Sequence, residues 1–92
     1  MLTAFVLIHA EPARVADLGS QIADVDGVAE VHSVTGDIDL VAIVRVRHHD
    51  ELADVVTGRI AALDGILRTT TMIAFRAYSR HDIESMWGLG ID

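Results

Sequence analysis

Residues 34 to 39 read Val-Thr-Gly-Asp-Ile-Asp, two carboxylates beside a glycine turn. That arrangement suits a small zwitterion. The ammonium of a free amino acid needs carboxylate or carbonyl acceptors, and its carboxylate needs N–H or hydroxyl donors. Asp37 and Asp39 supply acceptors. Gly36 supplies a turn whose backbone N–H groups face a ligand with no side chain in the way. Thr69 and Thr71 stand two residues apart, so on a strand their hydroxyls point the same way and add donors. His32, just before the turn, is a candidate for the border of the same site. These residues also read more plainly: Gly36 and Asp37 as a hairpin turn, the threonines as ordinary strand residues, His32 as a half-buried strand residue.

Other reactive types offer less. His48, His49 and Asp50 resemble a metal cluster, but adjacent side chains diverge and no second cluster follows at helical spacing, so they read as a loop before a helix cap. There is no cysteine, hence no disulfide framework and no thiolate site. An enzyme of the small dimeric α/β-barrel type, a monooxygenase or isomerase, would need titratable groups in a concave pocket. His9 and His32 are the best candidates for that alternative. Neither a metal nor a cofactor is expected, and no enzymatic activity.

The elements that must position these residues come as two copies of one unit. Ile22-Ala23-Asp24-Val25-Asp26-Gly27-Val28 recurs as Ile60-Ala61-Ala62-Leu63-Asp64-Gly65-Ile66, an offset of 65 − 27 = 38. The same offset lays Leu2, Val6 and Ile8 over Leu40, Val44 and Val46. Each copy reads strand, helix, Asp-Gly, strand. The first strand spans 2–10. Pro12 suits the opening turn of a helix, whose apolar stripe is Val15, Leu18, Ile22 and Val25. Gly27 fits the left-handed position after it. Strands follow over 28–35 and 38–47, joined by a tight turn at Gly36-Asp37. Asp50 is the expected cap of a second helix with the stripe Leu52, Val55, Val56, Ile60 and Leu63. Gly65 ends it, and the fourth strand spans 66–79. The implied fold is α+β: a ferredoxin-like βαββαβ domain with a four-stranded antiparallel sheet and two helices on one face.

A sheet covered on one side should alternate apolar and polar residues. Here the odd-numbered face keeps Phe5, Leu7, Val41 and Ile43, a patch that implies a second buried face: a two-fold dimer packed sheet to sheet, or, as the rival reading, the C-terminal tail folded over the sheet. Residues 80–92 form a C-terminal tail with Ile83, Met86 and Trp87 at helical spacing, expected to pack on a neighbouring subunit.

With 7 basic residues against 14 acidic ones the net charge is −7, which argues against direct contact with nucleic acid or an anionic membrane. No signal peptide or membrane span is legible, and a cytoplasmic location is expected.

The run Val34-Thr35-Gly36-Asp37-x-Asp39, an apolar strand, a helix, then Gly65-x-x-x-Thr69-x-Thr71 and another apolar strand resembles the C-terminal effector domain (RAM domain) of the Lrp/AsnC transcriptional regulators. The match covers about residues 2–79. The resemblance implies that copies pair through their sheets and that dimers stack into an octamer. It also implies that an amino acid or similar metabolite binds between dimers near Gly36, Asp37 and Asp39, with Thr69 and Thr71 matching the later motif. Regulators of that family carry a helix-turn-helix domain before this module. With the first strand at Leu2, no such domain is expected here, and regulation would pass through mixed assembly with a full-length relative. The ACT domain shares the topology but lacks the Gly-Asp-x-Asp turn and pairs its sheets side by side.

Overall fold

A computed structural model describes residues 1–80 of the chain. It contains strands β1 (Leu2–Ala10), β2 (Val28–Ser33), β3 (Leu40–Val46) and β4 (Ile66–Ile73), with helices α1 (Val15–Ala23) and α2 (His49–Ala53) between them. The sheet is antiparallel throughout, in the order β2-β3-β1-β4. This is the ferredoxin-like arrangement expected from the repeat.

The core lies between the sheet and the helices. Ala4, Val6, Ile8 and Ala10 of β1 and Leu40, Ala42, Val44 and Val46 of β3 meet Leu18, Ile22, Leu52, Val55 and Ile60, all buried. Register makes the layer interlock: Val6 stands opposite Ala42, and Ala4 opposite Val44, so in these pairs a large side chain meets a small one. Each fully buried Ile or Leu contributes about 1.5–3 kcal/mol in transfer free energy.

The internal duplication is visible in this register. Phe5 pairs with Ile43, its own equivalent at an offset of 38 (5 + 38 = 43), so a pseudo-two-fold axis passes through that pair. The equivalent glycines Gly27 and Gly65 have nearly the same backbone angle, φ 97° and 98°. At Gly27 a Cβ would stand 2.9 Å from Val55 Cγ2, so this position needs glycine for room as well as for conformation.

Three expectations are corrected. The fourth strand ends at Ile73 instead of 79: its pairing with β1 reaches Ala4 opposite Ile73, and Ala74 N–H donates to Thr3 O at 2.9 Å, beside the point where β1 begins at Leu2. The second helix starts earlier than a cap at Asp50 would give. His48 is its N-cap, with the Glu51 carboxylate accepting from the N–H groups of Arg47 and His48 at 3.1 and 3.0 Å. It also changes winding, with α2 running into a π-helical segment at Asp54–Ile60. Val55 and Ile60 are both buried. At about 100° per residue an α-helix would set residues five apart on diverging sides, whereas the i→i+5 hydrogen bonding of the π-turn keeps both on the core.

Both helices cover one face of the sheet. The other presents Phe5, Leu7, Val41 and Ile43, all half-buried, beside Met72 at 50% exposure, and among the described residues no helix covers it. The expected tail contacts of Ile83, Met86 and Trp87 lie outside the described residues.

Candidate functional site

The β2–β3 connection is wider than a tight two-residue turn. It runs over residues 34–39 and is closed by Val34 N–H donating to Asp39 O at 3.1 Å. Gly36 has φ 108° with open space where a Cβ would sit, so glycine serves backbone conformation here and leaves the loop's outer surface clear. Thr35, Gly36 and Asp37 are exposed.

The two carboxylates have different surroundings. Asp39 is half-buried and ties the loop to the end of β1. Its N–H donates to Ile8 O at 3.0 Å, and its Oδ2 accepts from Ala10 N–H at 2.9 Å. Asp37 makes no such tie among the described residues and faces solvent. Asp37 is thus the carboxylate of the loop left open to solvent, while Asp39 sets the loop's shape.

Thr69 and Thr71 do share a side. Pairing with Ile8 and Val6 puts them on the helix-covered face, Thr69 half-buried and Thr71 exposed. They do not join the loop within one protomer. The row Ser33–Leu40–Ile8–Thr69 crosses the whole sheet, three strand spacings or about 14 Å. His32 points to the opposite, open face, where it stands beside Val41 and its Nε2 lies 2.6 Å from Glu30 Oε1. His9 shares that face and accepts from the Arg68 guanidinium at 3.1 Å. The strand β3 separates His9 from His32, and neither lines the two grooves described next. Among the described residues no group of three His, Cys, Asp or Glu is placed to hold a metal ion.

Two grooves flank the sheet, one for each half of the repeat. The first, about 480 Å³, lies between α1 and β2 and is lined by Val15, Gly19, Ser20, Val31, Ser33 and Leu40. Ser33 and Leu40 carry its rim into the 34–39 loop. The second, about 300 Å³, lies between α2 and β4 and includes Leu52, Val56, Thr57 and Thr71. Thr57 and Thr71 are the repeat equivalents of Gly19 and Ser33, so larger side chains narrow the second groove. Sequence reading missed the first groove because Gly19 and Ser20 carry no chemical signature; only helix packing on the edge strand makes them a wall.

No helix among the described residues is long and apolar enough to cross a membrane. The model of the Lrp/AsnC ligand binding domain matches residues 3–83. An uncharacterised HTH-type transcriptional regulator of Pyrococcus horikoshii is 36% identical over 76 residues, 79% of this chain and 51% of that protein. The chain thus spans about half the length of the curated relatives it matches. Among solved structures, TTHA0845 from Thermus thermophilus superposes with a TM-score of 0.82 at 56% identity, covering 87% of this chain and 100% of that one. The feast or famine regulatory protein of Mycobacterium tuberculosis, complexed with L-methionine, superposes with a TM-score of 0.71 at 29% identity over 87% of this chain and 54% of that one. With the family model spanning nearly every described residue and the sheet order in agreement, this chain belongs to the Lrp/AsnC ligand binding domain family.

Proposed function

We propose that this domain is a non-enzymatic sensor that binds an amino acid or a similar small metabolite between copies of itself and transmits occupancy to transcriptional regulation through its assembly. The observation that carries this reading is the division of the candidate site. The Gly36–Asp37 loop and the Thr69–Thr71 pair lie at opposite edges of one sheet, about 14 Å apart by strand spacing. A ligand the size of an amino acid cannot touch both in one protomer. The loop of one copy and the threonines of another can complete a site, with Gly36 N–H and the threonine hydroxyls toward the carboxylate and Asp37 toward the ammonium. Asp39 holds the loop's shape, and His32, on the open face, borders the contact between copies. The M. tuberculosis family member complexed with L-methionine supports the class of ligand.

The open apolar face supports pairing of copies sheet to sheet, giving a dimer, and dimers joined through their loop edges would stack toward an octamer. A ligand seated between copies favours the assembled state because it binds that state alone. Mixed assembly with a full-length relative would carry the signal to DNA. The test is calorimetry with the twenty amino acids, run beside native mass spectrometry. Binding by one or a few, with a shift of mass toward a higher oligomer, is the expected result. Failure of every amino acid at millimolar concentration, or binding to a strictly monomeric chain, refutes the reading.

A further inference from the structure

The groove between α2 and β4 brings three hydrogen-bonding side chains, His49, Thr57 and Thr71, together with the apolar Leu52, Ala53 and Val56. No Asp, Glu, Lys or Arg lines it, although those types make up 23% of the chain. Among the described residues no hydrogen bond or ion pair occupies the three polar side chains.

The winding of the second helix turns part of this lining outward. Under the 38-residue repeat, Val56 and Ile60 are the equivalents of Leu18 and Ile22. Leu18 and Ile22 are both fully buried. In the second half Ile60 keeps its place, but Val55 takes the other core position, and Val56 is half-buried and lines the groove. Leu18 does not line the groove between α1 and β2. The π-helical hydrogen bonding over Asp54–Ile60 accounts for that one-residue shift. π-turns are rare and occur often at functional sites. The helix of the first half, built on the same repeat, is regular.

The 34–39 loop has the complementary shortage. Thr35, Gly36 and Asp37 are exposed, and nothing lies within 4 Å of where a Cβ of Gly36 would sit. The loop offers charge and N–H groups without concavity, and the groove offers concavity and donors without charge. We propose that the groove is the receiving half of the shared site: Thr57 and His49 bind the ligand's carboxylate beside Thr71, and Leu52, Ala53 and Val56 hold its side chain. This rests on the reading that an amino acid binds between copies, and adds to it two binding residues and a ligand class, amino acids with uncharged, apolar side chains. A charged side chain would lose its hydration against this lining with no partner to replace it. The groove's volume of about 300 Å³ lies at the lower end for small-molecule pockets, which suits a ligand of amino-acid size.

The test is calorimetry on the full chain with L-leucine and L-methionine, beside L-aspartate, L-lysine and the amides of the first two. Leucine or methionine is expected to bind at least about tenfold tighter than aspartate, lysine or its own amide, which lacks the carboxylate charge. T57V and H49A each remove a hydrogen bond to a charged group and are expected to weaken that binding about tenfold, while T57S retains it. The same variants should leave the weaker binding of the amide little changed, a discrimination that a merely structural role would not produce. Both side chains are exposed, so the unliganded unfolding temperature should hold. Should T57V not fold, the comparison of acid with amide needs no variant. Parent-like binding of the amino acid by T57V and H49A, or equal binding of charged and apolar amino acids, overturns the proposal. D37A separates that failure from the failure of the wider reading. If D37A loses binding while T57V and H49A keep it, the site between copies stands and its receiving half lies elsewhere. If the parent binds no amino acid, both fall.

Discussion

Replacing Asp39 by alanine is expected to destabilise the domain substantially, while the same change at Asp37 is not. The Asp39 carboxylate accepts from Ala10 N–H at 2.9 Å, where the β1–β4 register slips between His9 and Ala10. Ala10 is buried, so without Asp39 its N–H would lose its acceptor in a place water reaches poorly. Hydrogen bonds to a charged group contribute about 1.5–3 kcal/mol, and an orphaned buried donor costs about 1–3 kcal/mol. The half-exposed carboxylate places D39A near 2 kcal/mol, a fall of about 8–16 °C in Tm for a domain of this size. D39N keeps an acceptor oxygen but loses the charge, and should lose about half as much. D37A removes an exposed group and should stay within about 0.5 kcal/mol of the parent. Urea unfolding followed by far-UV circular dichroism, at one protomer concentration because association shifts apparent stability, measures all three. If D39A unfolds with the parent, or D37A is as damaging, the division of roles between the two aspartates is wrong.

Gly27 and Gly36 share a left-handed backbone but differ in room. G36A should cost only conformational strain, about 1–2 kcal/mol, whereas G27A adds overpacking against Val55 worth a further 1–3 kcal/mol or so; equal losses on denaturation would refute the contrast. I22A, at a fully buried position, should cost about 2–5 kcal/mol by the same measurement. E51A removes the acceptor for two backbone N–H groups at the start of α2 and should cost about 1 kcal/mol. L7E places a charge on the open face and should shift sedimentation toward smaller species with little change in circular dichroism; an unchanged mass would show that copies do not pair through that face.

Much of this fold can be read directly from residue order. The apolar run 2–10 matches β1 in full, and the 38-residue offset anticipates both crossover units and the glycines that close their helices. What the order of residues hides is whatever tertiary contact decides. The end of β4 depends on where β1, antiparallel beside it, begins, not on the β-forming residues that continue to Ser79. The π-winding is invisible because α and π segments draw on the same residue types and differ only in which carbonyl each N–H meets. At the candidate site, the motif names Asp37 and Asp39 but cannot assign their jobs, since that depends on the distant N–H of Ala10. The alternate spacing of Thr69 and Thr71 correctly puts them on one side, yet the register with β1 is what turns that side toward the helices.

The axis through Phe5 and Ile43 also bears on how a second copy would settle. To a flat partner, a surface built from two related halves looks nearly alike after half a turn, so shape by itself offers two orientations of similar fit. The repeat is broken in composition, however: Leu7 has Arg45 as its counterpart, and Thr3 has Val41. Leu7 and Val41 lie side by side at one end, and Thr3 faces Arg45 at the other. In the two central strands the face is therefore apolar at Leu7 and Val41, toward the 34–39 loop, and polar at Thr3 and Arg45. That gradient lets an arriving copy tell one orientation from its near twin, as a key cut on one edge enters a symmetric lock only one way.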